Sequence, residues 1–106
     1  MDVDEAFELF RSIAAARGGE LQESTLLEVG DREYVLLISE KPCLRLFWQT
    51  SDQTITLDIS HGPADGPEWW WLDLIKAKRV DRRLCFDTDD FSFMDAIDYG
   101  LELCGL

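Results

Sequence analysis

Histidine and positive charge are what this chain has least of. It holds one histidine, His61, and ten lysines and arginines against 22 aspartates and glutamates in 106 residues. One histidine and three scattered cysteines give no zinc-ligand spacing. Cys43, Cys85 and Cys104 contain no C-x-x-C pair, so buried, reduced thiols are expected instead of a disulfide. No Gly-rich phosphate loop is present, because Gly18-Gly19 is placed to end a helix whereas phosphate loops begin one. A nucleophile elbow and a Cys-His signature are also missing, which removes the usual ways of activating a nucleophile. Neither enzyme activity nor a cofactor is expected. No apolar run approaches the ~20 residues of a membrane span, so no membrane association is expected. The start, Met1-Asp2-Val3-Asp4-Glu5, is acidic where a secretory signal would be basic and then apolar, which predicts a cytoplasmic protein.

The net charge of −12 is unevenly spread. Residues 1–31 hold eight acids and two bases, residues 32–83 eight of each, and residues 84–106 six acids and no base. The excess therefore sits at the two ends. Such a field repels nucleic acid and anionic lipid and attracts cationic partners. The plainer reading is that the acidity serves solubility.

Length and apolar content, at 46%, fit a single domain with one core over 1–106. Residues 2–17 have the stripe Val3, Ala6, Phe7, Phe10, Ile13 and Ala14 of an amphipathic helix, with Asp2 as N-cap and Gly18-Gly19 as stop. A meander follows. Leu21, Thr25, Leu27 and Val29 share one face of a strand over 20–29, and Gly30-Asp31 is a two-residue turn signal. Tyr34, Leu36 and Ile38 alternate with Val35 and Leu37, as in a strand covered on both sides, until Glu40-Lys41-Pro42 breaks it. Leu44, Leu46 and Trp48 form the next inward row. In 54–60, Ile55, Leu57 and Ile59 point inward while Thr54, Thr56, Asp58 and Ser60 point to water.

The segment 68–80 admits two readings. Pro67 at a first helical position and Lys76, Lys78 and Arg79 near the end suit a helix. Its aromatic content and a hairpin partner at 83–87 across Val80-Asp81-Arg82 favour a strand. As a strand it puts Trp70, Leu72 and Leu74 on the core face, and Trp69, Trp71 and Ile75 on the other face, flanking Asp73. Residues 92–104 close the chain as a helix, with Ser92 as N-cap and Phe91 stapled on Ala96. Its buried stripe is Phe93, Ala96, Ile97, Leu101 and Cys104, and its wet side Asp95, Asp98 and Glu102. Gly100 inside it signals close packing. The expected fold is α+β: an antiparallel meander of five or six strands with an N-terminal and a C-terminal helix packed on it.

Three features invite a chemical reading. His61 ends a predicted strand, where catalytic bases are found, but it equally fits a turn residue. Asp87-Thr88-Asp89-Asp90 resembles a calcium loop, yet Ser92 stands at the glycine position and Asp98 at the final glutamate, so an acidic helix start fits better and no metal is expected. Lys76, Lys78, Arg79, Arg82 and Arg83 form a basic cluster near three tryptophans, a pattern known from nucleic-acid binding. The overall charge opposes that reading, and the acids of the closing helix are expected to neutralise the cluster. The tryptophans remain. One core layer cannot easily hold three consecutive indoles, and tryptophan is enriched at binding hot spots. A protein-binding surface is thus expected from Trp69, Trp71, Asp65, Glu68, Asp73, Asp95, Asp98 and Glu102.

In outline the chain resembles small acidic bacterial toxin-immunity proteins. The likeness rests on the helix 2–17, the meander 20–60, the aromatic strand Glu68–Leu74, and Phe91-Ser92-Phe93-Met94-Asp95-Ala96-Ile97 opening the last helix. It implies stoichiometric binding of a cognate toxin domain, often a basic nuclease, whose active site is blocked or distorted. The chain is also similar in size, charge and α/β content to acidic type III secretion chaperones, whose effector-binding fold has a mid-chain helix that 68–79 would have to supply. A third alternative is a small enzyme or ligand-binding domain using His61.

Overall fold

The computed structural model describes residues 1–24, 30–61, 70–86 and 92–106, with the backbone alone at 61 and 70–72. The element order is α1 (Val3–Ala16), β1 (Glu20–Glu23), β2 (Arg32–Ile38), β3 (Lys41–Gln49), β4 (Thr54–His61), β5 (Trp70–Val80), β6 (Arg83–Phe86) and α2 (Phe93–Leu103). Among the described residues the strands form one six-stranded antiparallel sheet in sequence order, an open meander. Residues 70–80 are strand, so the mid-chain helix that the chaperone likeness requires is absent there.

Both helices start and stop as the sequence directs. Asp2 Oδ1 accepts from the Glu5 N–H at 3.0 Å, and Ser92 Oγ accepts from the Asp95 N–H at 3.1 Å. Both end in the same 6→1, 5→2 pattern of backbone bonds. Gly18 donates to the Ala15 carbonyl and Gly19 to that of Ala14; Gly105 donates to Glu102 and Leu106 to Leu101. Gly18 and Gly105 take φ of 77° and 87°, a left-handed conformation that glycine enters without a Cβ clash.

Alternation along the strands gives the sheet one apolar face. Tyr34 and Leu36, Leu44, Leu46 and Trp48, Ile55 and Leu57, Ile75 and Ala77, and Leu84 meet Phe7, Phe10, Phe93, Ile97 and Leu101 of the helices in a single core. The helices also touch each other, α1 lying toward β1 and β3 and α2 toward β4 and β5. Arg17 joins their C-terminal ends, donating to Asp98 Oδ1 at 3.2 Å and to the Leu106 carbonyl at 3.1 Å. Gly100 is where α2 comes closest to the sheet: a Cβ there would lie 2.8 Å from Leu44 Cδ1 and 3.2 Å from Leu74 Cδ1.

The differences from the sequence reading have local causes. Between Leu57 and Asp58 the β4–β5 register slips, leaving Leu74 as a bulge, so Ile75 turns into the core while Asp73 stays on the far face. Ile75 had been expected beside Asp73. The β2–β3 turn is Ser39-Glu40, with φ of 51° and 67°, and Lys41 and Pro42 already belong to β3. Pairing of Glu23 with Tyr34 is out of register with a two-residue Gly30-Asp31 turn, and residues 25–29 lie outside the described part. None of the thiols is fully buried: Cys85 is exposed and Cys43 and Cys104 are half-buried, although all three are reduced. Asp58, expected to face water, is fully buried.

Candidate functional site

Of the residues expected to form one binding surface, those described with their side chains fall on two sides of the sheet. Asp73 lies on β5 opposite Asp58, on the face away from the helices, whereas Asp95, Asp98 and Glu102 lie on α2. Trp71 pairs through its backbone with Ser60, and Trp70 with His61, which ends β4; their side chains are outside the described residues. Asp65, Glu68, Trp69, Phe91 and Asp87–Asp90 also lie outside them.

On α2 the side turned from the core presents Asp95, Tyr99 and Glu102 at i, i+4 and i+7, so the three line one stripe. Asp95 and Glu102 are exposed, Tyr99 is 46% exposed, and Leu103 beside them 50%. Asp98 is half-buried and turned toward Arg17. The sequence reading missed Tyr99. Its signal was the same spacing that selected Asp95 and Glu102, a phenol sitting on the wet side of an otherwise acidic helix. The neighbouring α1 adds exposed Glu5 and Glu8, with Arg11 3.8 Å from Glu8. Over residues 2–17 and 92–106 together there are seven carboxylates and two guanidiniums. The helical layer is thus strongly negative.

The other face carries cations among its acids. Lys76 and Lys78 pair with Thr56 and Thr54, on the side of Asp58, and Arg83 alternates with buried Leu84. Their register points these three away from α2, so the acids of the closing helix do not neutralise them. Beside them a part-buried polar chain runs from Ser24 across β2, β3 and β4. Ser24 Oγ donates to Glu33 Oε1, and Arg45 Nη1 donates to Glu33 Oε2 at 3.3 Å. Arg45 also donates through Nε and Nη2 to Asp58 Oδ2 at 2.9 and 2.6 Å, with its guanidinium 5.0 Å from the Phe47 ring centre. Thr56 Oγ1 donates a third hydrogen bond to Asp58 Oδ2 at 3.2 Å. Burial, and then the facing Asp73, push Asp58 up from 3.8 to about 6, against the pull of Arg45. Asp58 Oδ1 accepts no hydrogen bond from any described donor. Once protonated, Asp58 can donate to the facing Asp73 carboxylate across the β4–β5 pair.

At the end of the sheet beside the start of α1 a cleft of 490 Å³ is lined by Asp2, Asp4, Trp48, Arg79, Asp81 and Arg82 among others. Arg79 is held there by Gln53, to whose Oε1 its Nε donates at 2.9 Å, and by the Trp48 ring 5.1 Å away. Arg32, also in the cleft, is paired with Asp4 at 2.5 Å and packs over Phe7. The charges of this cleft are balanced, so it lacks the single sign that distinguishes the helical layer. Among the described residues no cluster of three or more His, Cys, Asp or Glu has the arrangement of a metal site. None of the described helices is long and apolar enough to cross a membrane. No protein-family model, characterised protein or solved structure matches the chain.

Proposed function

We propose that this protein is an acidic binding module that engages a basic protein, as an immunity protein does when it neutralises a toxin or enzyme domain. The observation that supports this most is charge segregation. The two acidic helices α1 and α2 fold side by side as one layer, while Lys76, Lys78 and Arg83 lie across the sheet. A basic partner approaching the helices meets carboxylates that raise its association rate. Tyr99, exposed between Asp95 and Glu102, supplies a rigid amphipathic anchor that slows its release.

The test compares the wild type with the triple variant Asp95→Asn, Tyr99→Ala, Glu102→Gln as bait against source lysate, followed by affinity measurement on the recovered protein. These side chains are exposed, so the variant keeps its fold and its circular dichroism. Wild type should retain a basic protein at low salt, with affinity falling as salt rises. Tyr99→Ala alone should weaken binding by about 2 kcal/mol, roughly thirty-fold in Kd. Equal retention by both baits, or recovery of no basic protein, refutes the proposal.

A further inference from the structure

Two of the three thiols meet where α2 ends. Cys43 is the bulge residue of β3, since Leu44 pairs with Leu36 and Pro42 with Leu37. Cys104 caps α2 one turn beyond Gly100, the glycine packed against Leu44. The residue preceding Leu44 and the turn following Gly100 are therefore neighbours, which brings the Cys43 and Cys104 side chains together. The Cys43 thiol also donates to the Lys41 carbonyl at 3.5 Å. Burial and the adjacent Cys43 push the Cys104 thiol up to about 12, which holds it protonated at neutral pH. Cys85 is separate from both, exposed on β6.

We propose that Cys43 and Cys104 form a thiol–disulfide exchange site whose oxidising substrate is a low-molecular-weight disulfide such as oxidised glutathione. The Cys43 thiol gives its proton to solvent and its sulfur bonds to one sulfur of glutathione disulfide; that S–S bond breaks and one glutathione leaves as thiolate, taking up a proton. The Cys104 thiol then loses its proton and its sulfur attacks the Cys43 sulfur, expelling the second glutathione in the same way. Two protein thiols become one disulfide and one glutathione disulfide becomes two thiols, so electrons and protons balance without a further carrier. The new bond fastens the last turn of α2 to β3. This inference is independent of the partner reading above.

The full chain is incubated with oxidised glutathione at mildly alkaline pH, the remaining thiols are alkylated, and the peptides are mapped by mass spectrometry. A Cys43–Cys104 link is expected, with a loss of about 2 Da for the two hydrogens removed, while exposed Cys85 takes a glutathione adduct. The linked form should melt several degrees higher than the reduced one, and dithiothreitol should reverse the shift. Separate glutathione adducts on Cys43 and Cys104 would overturn the proposal. So would a link to Cys85, or both thiols remaining free while Cys85 reacts.

Discussion

Replacing Asp73 by asparagine should stabilise this protein at neutral pH. Asp58 is fully buried and its carboxyl is raised to about 6, firstly by burial and then by the facing Asp73. A rise from 3.8 to about 6 corresponds to ~3 kcal/mol of penalty for keeping Asp58 ionised at pH 7. Burial accounts for the larger part and survives the substitution. Asp73 is exposed, so solvent screens its share, leaving about 1 kcal/mol to be recovered. Part of that gain comes from the amide itself, whose N–H can donate to Asp58 Oδ1, the oxygen that now lacks a partner.

The sign with pH is opposite to that of a salt-bridged aspartate. Between 3.8 and about 6 the folded state binds a proton that the unfolded state does not, so this group's contribution to stability grows as pH falls through that window and is lost as pH rises above it. In Asp73→Asn the rise is smaller and the dependence flatter. The advantage of the variant should thus be largest near pH 7.5 and shrink toward pH 4.5, where wild-type Asp58 is protonated and can itself donate to Asp73. Urea unfolding at these two pH values, followed by tryptophan fluorescence, measures it. Taking the difference between two chains cancels the other carboxylates. A variant no more stable than wild type at neutral pH, or an advantage that does not change with pH, refutes the reasoning.

Arg45→Met should be strongly destabilising, by about 3–5 kcal/mol at neutral pH, because it leaves Asp58 buried without its cation; denaturation at pH 5 should show a smaller loss as Asp58 takes up a proton. Gly100→Ala should lower stability by about 1–3 kcal/mol in spite of the better helix propensity of alanine, since the added carbon meets Leu44 at 2.8 Å. A thermal melt distinguishes that loss from the small gain expected at an open helix position.

Most of the fold could be read before any coordinates. The alternation of Ile55, Leu57 and Ile59 and the stripes of Phe7 and Phe10 and of Ile97 and Leu101 are local patterns, and each element recurs where those patterns put it. Properties of strand pairs were not legible. The bulge at Leu74 depends on how β4 and β5 register, and nothing in either strand alone announces it. The tight turns at Ser39-Glu40 and Asp81-Arg82 take positive φ at four residues that are not glycine, so the usual turn signal is missing. Asp58 followed the polar half of its strand's alternation and was read as wet; its partners Arg45 and Asp73 are 13 and 15 positions away in sequence, which no periodicity exposes. At the candidate site, Asp95 and Glu102 could be chosen from charge and helical spacing. Their separation from Asp73 by the thickness of the sheet could not.

The meander has a consequence for how the chain is made. Each strand pairs with its immediate neighbour in sequence, so hairpins can close one after another as synthesis proceeds. The apolar face they build depends for its cover over β4 and β5 on α2, which follows all six strands in the chain. Until Phe93, Ala96, Ile97 and Leu101 leave the ribosome, the sheet presents Ile55, Leu57 and Ile75 to solvent with α1 alongside. The nascent chain is therefore most prone to sticking in the interval between β6 and α2. A ribosome stalled there holds the form most in need of a chaperone.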